Sequence, residues 1–104
     1  MDLNKAQLKY LRKLSHKEKP LFQLGKLGLT DVFIEQIDSA LTKRELIKFV
    51  ILQNSDEDLV EATEIIAERT NATIVQTIGN TAILYRPSAK EKYQEISQEV
   101  MALA

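Results

Sequence analysis

A two-layer α/β (α+β) domain built on a four-stranded mixed sheet is predicted by three features of the sequence. Strand-like runs at 21–24 and 45–52 are separated by a segment of helical spacing, an order that favours parallel pairing through a right-handed crossover. Two further β-rich runs, 73–78 and 81–86, flank Gly79-Asn80, a two-residue linker that signals an antiparallel hairpin. The 104 residues contain no cysteine, internal repeat or long linker, so a single core without disulfides must suffice. In so short a chain two layers are expected, with the helices mainly on one sheet face and Lys48, Gln76 and Arg86 sharing the other.

The elements follow in order. Asn4 can cap a first helix running to about His16, free of Gly and Pro; Leu8, Leu11 and Leu14 form its apolar stripe, with Ala6 and Tyr10 beside it. Pro20 ends the helical possibility, and Leu21–Leu24 reads as a short strand leading into Gly25-Lys26-Leu27-Gly28. Thr30 then caps a second helix, buried along Phe33, Ile37 and Leu41 with Ile34 and Ala40 in support, and ending near Thr42. The run 45–52 is a strand with large apolar residues on both sides. After Ser55 a third helix turns Leu59, Ala62 and Ile66 inward and Glu57, Glu61, Glu64 and Glu68 outward, a face that repels phosphate. Pro87 closes the hairpin. Ser88 with Glu91 resembles a capping box before a last helix, whose stripe is Tyr93, Ile96, Val100 and Leu103.

Charge is unevenly placed. The whole chain is −1 at neutral pH, yet residues 1–29 carry seven basic side chains against Asp2 and Glu18, a local +5 that leaves −6 for the rest. Lys5, Lys9, Arg12 and His16 recur at spacings of four, three and four on one helix face, which Lys13 and Lys17 widen. Immediately beyond lies the glycine pair. A loop leaving a strand and entering a helix presents backbone N–H groups beside the positive end of the helix dipole, and Lys26 adds a cation. Two glycines three apart also serve a plain turn, and a basic face is often merely solvated. Side by side, the two features favour a site for a polyanion backbone. The spacing is not that of a Walker loop, and no acid follows where a dinucleotide fold would need one.

The segments LRKLSHKEKPLFQLGKLGLT, ELIKFVIL and IGNTAILYRP together resemble the CRM domain, named for chloroplast RNA splicing and ribosome maturation, in its stand-alone bacterial YhbY-like form. The resemblance spans roughly residues 3–87. It implies a fold similar to the C-terminal domain of bacterial translation initiation factor three and a glycine loop comparable to that of KH domains, which clamps single-stranded RNA backbone. It also implies an RNA partner, ribosomal RNA in precursors of the large subunit. Carried onto this chain, the RNA-binding residues are Gly25, Lys26, Leu27 and Gly28, with Lys5, Lys9, Arg12, Lys13 and Lys17 of the first helix, and Arg86 at the end of the hairpin. Residues 1–87 form the CRM-like unit and 88–104 a C-terminal helical extension. An amphipathic last helix offers an alternative from another class, a protein-interaction module docking through that stripe.

Other chemistry finds little support. His16 is the only histidine and has neither cysteine nor a clear acid–base partner, which argues against a metal site or a triad. Asp56, Glu57 and Asp58 lack the spacing of an EF-hand and suit the first turn of a helix. Asn71-Ala72-Thr73 matches a glycosylation acceptor, but the N-terminus does not resemble a secretory signal. Tyr10 and Tyr85 could stack on bases, although half-buried packing suits them better. The expectation is a cytoplasmic, non-enzymatic protein with no cofactor, no metal and no membrane association.

Overall fold

The computed structural model describes residues 2–104. Along the chain run α1 (Lys5–Ser15), β1 (Phe22–Leu24), α2 (Asp31–Arg44), β2 (Leu46–Ile51), α3 (Leu59–Thr70), β3 (Thr73–Ile78), β4 (Thr81–Tyr85) and α4 (Glu95–Ala102), the last preceded by a 3-10 turn at Glu91–Tyr93. The α+β class and the four-stranded mixed sheet are as expected, with strand order β1-β2-β4-β3. β1 pairs parallel with β2, and β4 pairs antiparallel with both β2 and β3. Caps set the helix starts: Asn4 and Gln7 form a reciprocal capping box on α1, and the Thr30 hydroxyl accepts from the Phe33 N–H on α2.

Helices cover both faces of the sheet, which corrects the expectation of one mainly covered face. On one side α2 and α3 bury Ile34, Ile37, Leu41 and Ile66 against Ile47, Phe49, Ala82 and Leu84. On the other, Leu11 of α1 and Val100 of α4 close over Leu46, Val75, Ile83 and Tyr85. The cause lies in β2 and β4, which set large apolar side chains on alternate sides. A bare second face would keep that surface in water, at about 25 cal/mol per Å².

This arrangement also separates residues expected together. Lys48 points to the α1 side, where its ammonium donates to the carbonyls of Ser15 and Glu18 at 3.4 Å each and satisfies the negative end of α1. Arg86 turns to the α2–α3 side instead.

Residues 88–104 fold back on the rest of the chain. Glu45 leaves α2 in the left-handed conformation at φ 65°, which aims its side chain into the interior. There its carboxylate accepts from the N–H of Ser88 at 2.6 Å and of Ser97 at 3.0 Å, so an acid from another element caps α4 at its positive end. The expected capping box of Ser88 with Glu91 does not form, because the Ser88 hydroxyl donates to the Thr42 carbonyl and α4 begins only at Glu95. Gln7 and Asn4 donate to the carbonyls of Val100 and Leu103 at 2.9 Å each, tying the two ends of the chain together. Of the apolar stripe offered to a partner, Val100 is buried and Ile96 packs against the same cluster, while Leu103 is exposed.

Candidate nucleic-acid interface

The glycine loop is fixed at its base and bare at its tip. Leu24 is buried with Ile51 and Ala62, and Leu29 packs against the same cluster, so both shoulders of the loop are anchored. Between them the Gly28 N–H donates to the Gly25 carbonyl at 3.0 Å, closing a tight turn with Lys26 and Leu27 at its tip. Gly28 has φ +69°, the region in which a side chain is strained. Lys26 is exposed, and Leu27 is 90% exposed. Beside the turn lies a cleft of about 300 Å³, whose lining includes Gln23, Lys26, Gly28, Val32 and Gln36.

The next loop leans on this turn. A methyl group on Gly25 would meet Leu52 and Asn54 at 3.6 and 3.7 Å, and one on Gly28 would stand 2.9 Å from Glu57 Oε1. That same oxygen accepts from the Leu29 N–H at 3.2 Å. Glu57 therefore does not sit on the outer face of α3 as expected. The helix starts one turn later, at Leu59 with Asp58 as its cap, and Glu57 is left in the loop facing the glycines. Sequence reasoning missed this residue, although Asp58 followed three positions later by Glu61 was a signal for the later cap. At the α2 N-terminus a second acid, Asp31, is paired with Arg69 at 3.3 Å.

Lys5, Lys9, Arg12 and Lys13 are exposed on α1 and Lys17 is exposed in the turn just beyond it, while Gln7, Leu11 and Ser15 are buried. They do not line the cleft beside the glycine loop. α1 covers one face of the sheet and α2 leaves the loop over the other, so the two cationic features lie on opposite faces and are linked along the chain through β1. The linker from α1 crosses at Lys48, whose carbonyl accepts from the Leu21 N–H at 2.9 Å, and β1 then delivers the chain to the loop.

Arg86, expected among the RNA contacts, stands apart from the glycine loop and is engaged within the fold. Its guanidinium donates to Asp38 Oδ1 at 2.6 Å, the Thr70 carbonyl at 2.7 Å, Thr42 Oγ1 at 2.8 Å and the Asp38 carbonyl at 2.9 Å. Its side chain is only 17% exposed. Because β4 runs antiparallel to β2, Arg86 also stands at the end of the sheet away from the glycine loop: Leu46 faces Tyr85, whereas Val50 faces Thr81. Tyr85 is fully buried and offers no face for stacking, and His16 lies at the surface where α1 ends.

Fold and loop together define a small α+β module with a glycine turn between an edge strand and a helix, and a helix bearing exposed cations on the opposite face of the sheet. The chain belongs to the CRS1/YhbY (CRM) domain family, whose model matches residues 3–86. It is 43% identical over 94 residues to the Bacillus subtilis (strain 168) protein named "Probable RNA-binding protein YqeI", covering 90% of this chain and 98% of that one. It is 37% identical over 92 residues to a Haemophilus influenzae protein named "RNA-binding protein", covering 88% and 93%. Among solved structures, that of the hypothetical protein SAV1595 from Staphylococcus aureus superposes with a TM-score of 0.72 at 42% identity, over 90% of this chain and 98% of that one. No described helix is long and apolar enough to cross a membrane.

Proposed function

We propose that this chain is a non-enzymatic RNA-binding protein that acts in the cytoplasm on ribosomal RNA of the large-subunit precursor during ribosome assembly. The observation that carries the reading is the bare tip of the glycine turn, where Lys26 has no partner among the described residues and stands beside the N-terminus of α2. Peptide N–H groups and one cation at such a point match a phosphate. Lys9, Arg12, Lys13 and Lys17 would continue the contact around the β1 edge, so that an RNA backbone runs from the loop onto α1. Residues 1–87 would form the binding unit and 88–104 a brace behind α1. The relatives named for RNA binding support the ligand class, and the large-subunit precursor comes from the family resemblance.

The test is binding to ribosomal RNA and a control RNA across a salt series. If about four phosphates are neutralised, the logarithm of affinity falls with the logarithm of salt at a slope near −3 for single-stranded RNA. Lys26→Ala should weaken binding about fivefold with the fold unchanged, and Leu27→Glu should do the same by adding a negative charge at the exposed tip. These variants are cleaner than Gly28→Asp, which would strain a positive φ and press against Glu57. A flat salt dependence, or full affinity in both variants, would remove the loop from the interface.

A further inference from the structure

Glu57 is an anion already lodged at the place where a phosphate would bind. Its carboxylate accepts from the Leu29 N–H at 3.2 Å, and the same oxygen lies 2.9 Å from where a side chain on Gly28 would begin. Among the described residues it has no ion-pair partner; the salt bridges there join Arg69 to Asp31 and Arg86 to Asp38. Its backbone is held by a short turn in which the Glu57 N–H donates to Ser55 Oγ at 3.1 Å, and the side chain is only partly buried. A carboxylate without a cation, on one backbone donor and open to water, is free to leave. Lys26 and Leu27 at the tip carry no such occupant.

One donor cannot serve a carboxylate and a phosphate at once, and a negative charge this close repels any phosphate approaching the turn. We propose that Glu57 is a built-in competitor at the glycine loop, a specificity-determining residue that an RNA phosphate must displace from the Leu29 N–H. The inference rests on the reading of this loop as an RNA contact. Its consequence is selection by length. A mononucleotide or dinucleotide meets the repulsion with nothing to offset it, whereas an RNA strand that also engages the cations of α1 gains enough to move Glu57 aside. The residue thus reserves the loop for extended polyanions.

Glu57→Gln keeps an acceptor for the Leu29 N–H and removes the charge, so it separates the two roles the side chain can play. Affinity for a single-stranded ribosomal RNA fragment and for a dinucleotide is measured in wild type, Glu57→Gln and Lys26→Ala, with the Leu29 amide followed by NMR. Competition predicts that Glu57→Gln binds the fragment about fivefold tighter, gains at least as much for the dinucleotide, and that the Leu29 amide resonance moves when RNA is added. If Lys26→Ala weakens binding but Glu57→Gln binds equally or more weakly, the competitor is overturned and the loop reading stands. If Lys26→Ala leaves affinity unchanged, the loop reading fails and the competitor with it.

Discussion

The two ends of the sheet treat charge in opposite ways. At the end where β4 finishes, Arg86 is held by four donated hydrogen bonds and Glu45 is fully buried on two backbone N–H groups. At the end where β1 finishes, Lys26 has no partner among the described residues and Glu57 holds a single N–H at 3.2 Å. Buried charges must be satisfied or they cost several kcal/mol, so the first end is committed to holding the fold together. Exposed charges that are barely bonded add little stability and can be rearranged by a ligand. One small sheet therefore carries a brace at one end and an adaptable surface at the other.

Removing Glu45 should break the comparison most severely. Glu45→Ala leaves the N–H groups of Ser88 and Ser97 without acceptors in the interior, and the expected loss is about 3 kcal/mol of stability. Urea unfolding reads the loss, and hydrogen exchange at Ser97 should accelerate more than exchange at Leu29. A change below about 0.5 kcal/mol would mean that the brace lies elsewhere. Arg86→Ala should cost less, about 2 kcal/mol, because Asp38 and Thr42 are partly open to water and can rehydrate. The sharper measurement is its RNA affinity at a temperature where the variant is folded. Unchanged affinity keeps the two ends distinct, whereas weaker binding would return Arg86 to the interface. Arg86→Lys should recover little stability, since a single ammonium cannot reproduce the forked geometry that reaches α2 and the Thr70 carbonyl together.

What the sequence disclosed divides along the same line. Features set by neighbours in the chain were legible: the Asn4 and Thr30 caps, the Gly79-Asn80 hairpin and the turn at the Gly25/Gly28 pair. Exposure of the α1 cations followed from helical spacing alone. Hidden were the contacts between residues far apart in sequence. Glu57 meets Leu29 across 28 positions and Glu45 meets Ser97 across 52; the Asp58 cap could have set Glu57 ahead of the helix, but no local pattern names the distant partner of either acid. The anchoring of Arg86 was hidden for a related reason. A basic residue after a strand looks the same in sequence whether it reaches solvent or folds under α2. The second covered face could have been inferred from Leu46, Ile83 and Tyr85, whose alternation with Ile47, Ala82 and Leu84 leaves both sides of the sheet apolar.

Tyr85 gives the smallest effect at neutral pH and the finest test of the crowded end. Its hydroxyl is buried without a hydrogen-bond partner among the described residues, and burial, followed by the charge of Glu45, pushes the phenol from 10.0 up to about 12. Below pH 10 the folded and unfolded chains both keep the proton, and the stabilisation from this group is fully present. Between pH 10 and about 12 the unfolded chain releases it while the folded chain does not, so stability falls as pH rises through that window. Tyr85→Phe removes a hydroxyl that makes no bond. It should change stability by less than about 1 kcal/mol at neutral pH and should hold more of it than the wild type above pH 10. Urea midpoints on either side of that pH decide the matter. A variant as alkali-sensitive as the parent would assign the loss to another group, and Tyr10, raised by burial and by Glu99, would be the next to replace. If Phe does protect, the alkaline weakness lies beside Glu45, where the domain confines its charge most tightly, and not at the open glycine turn.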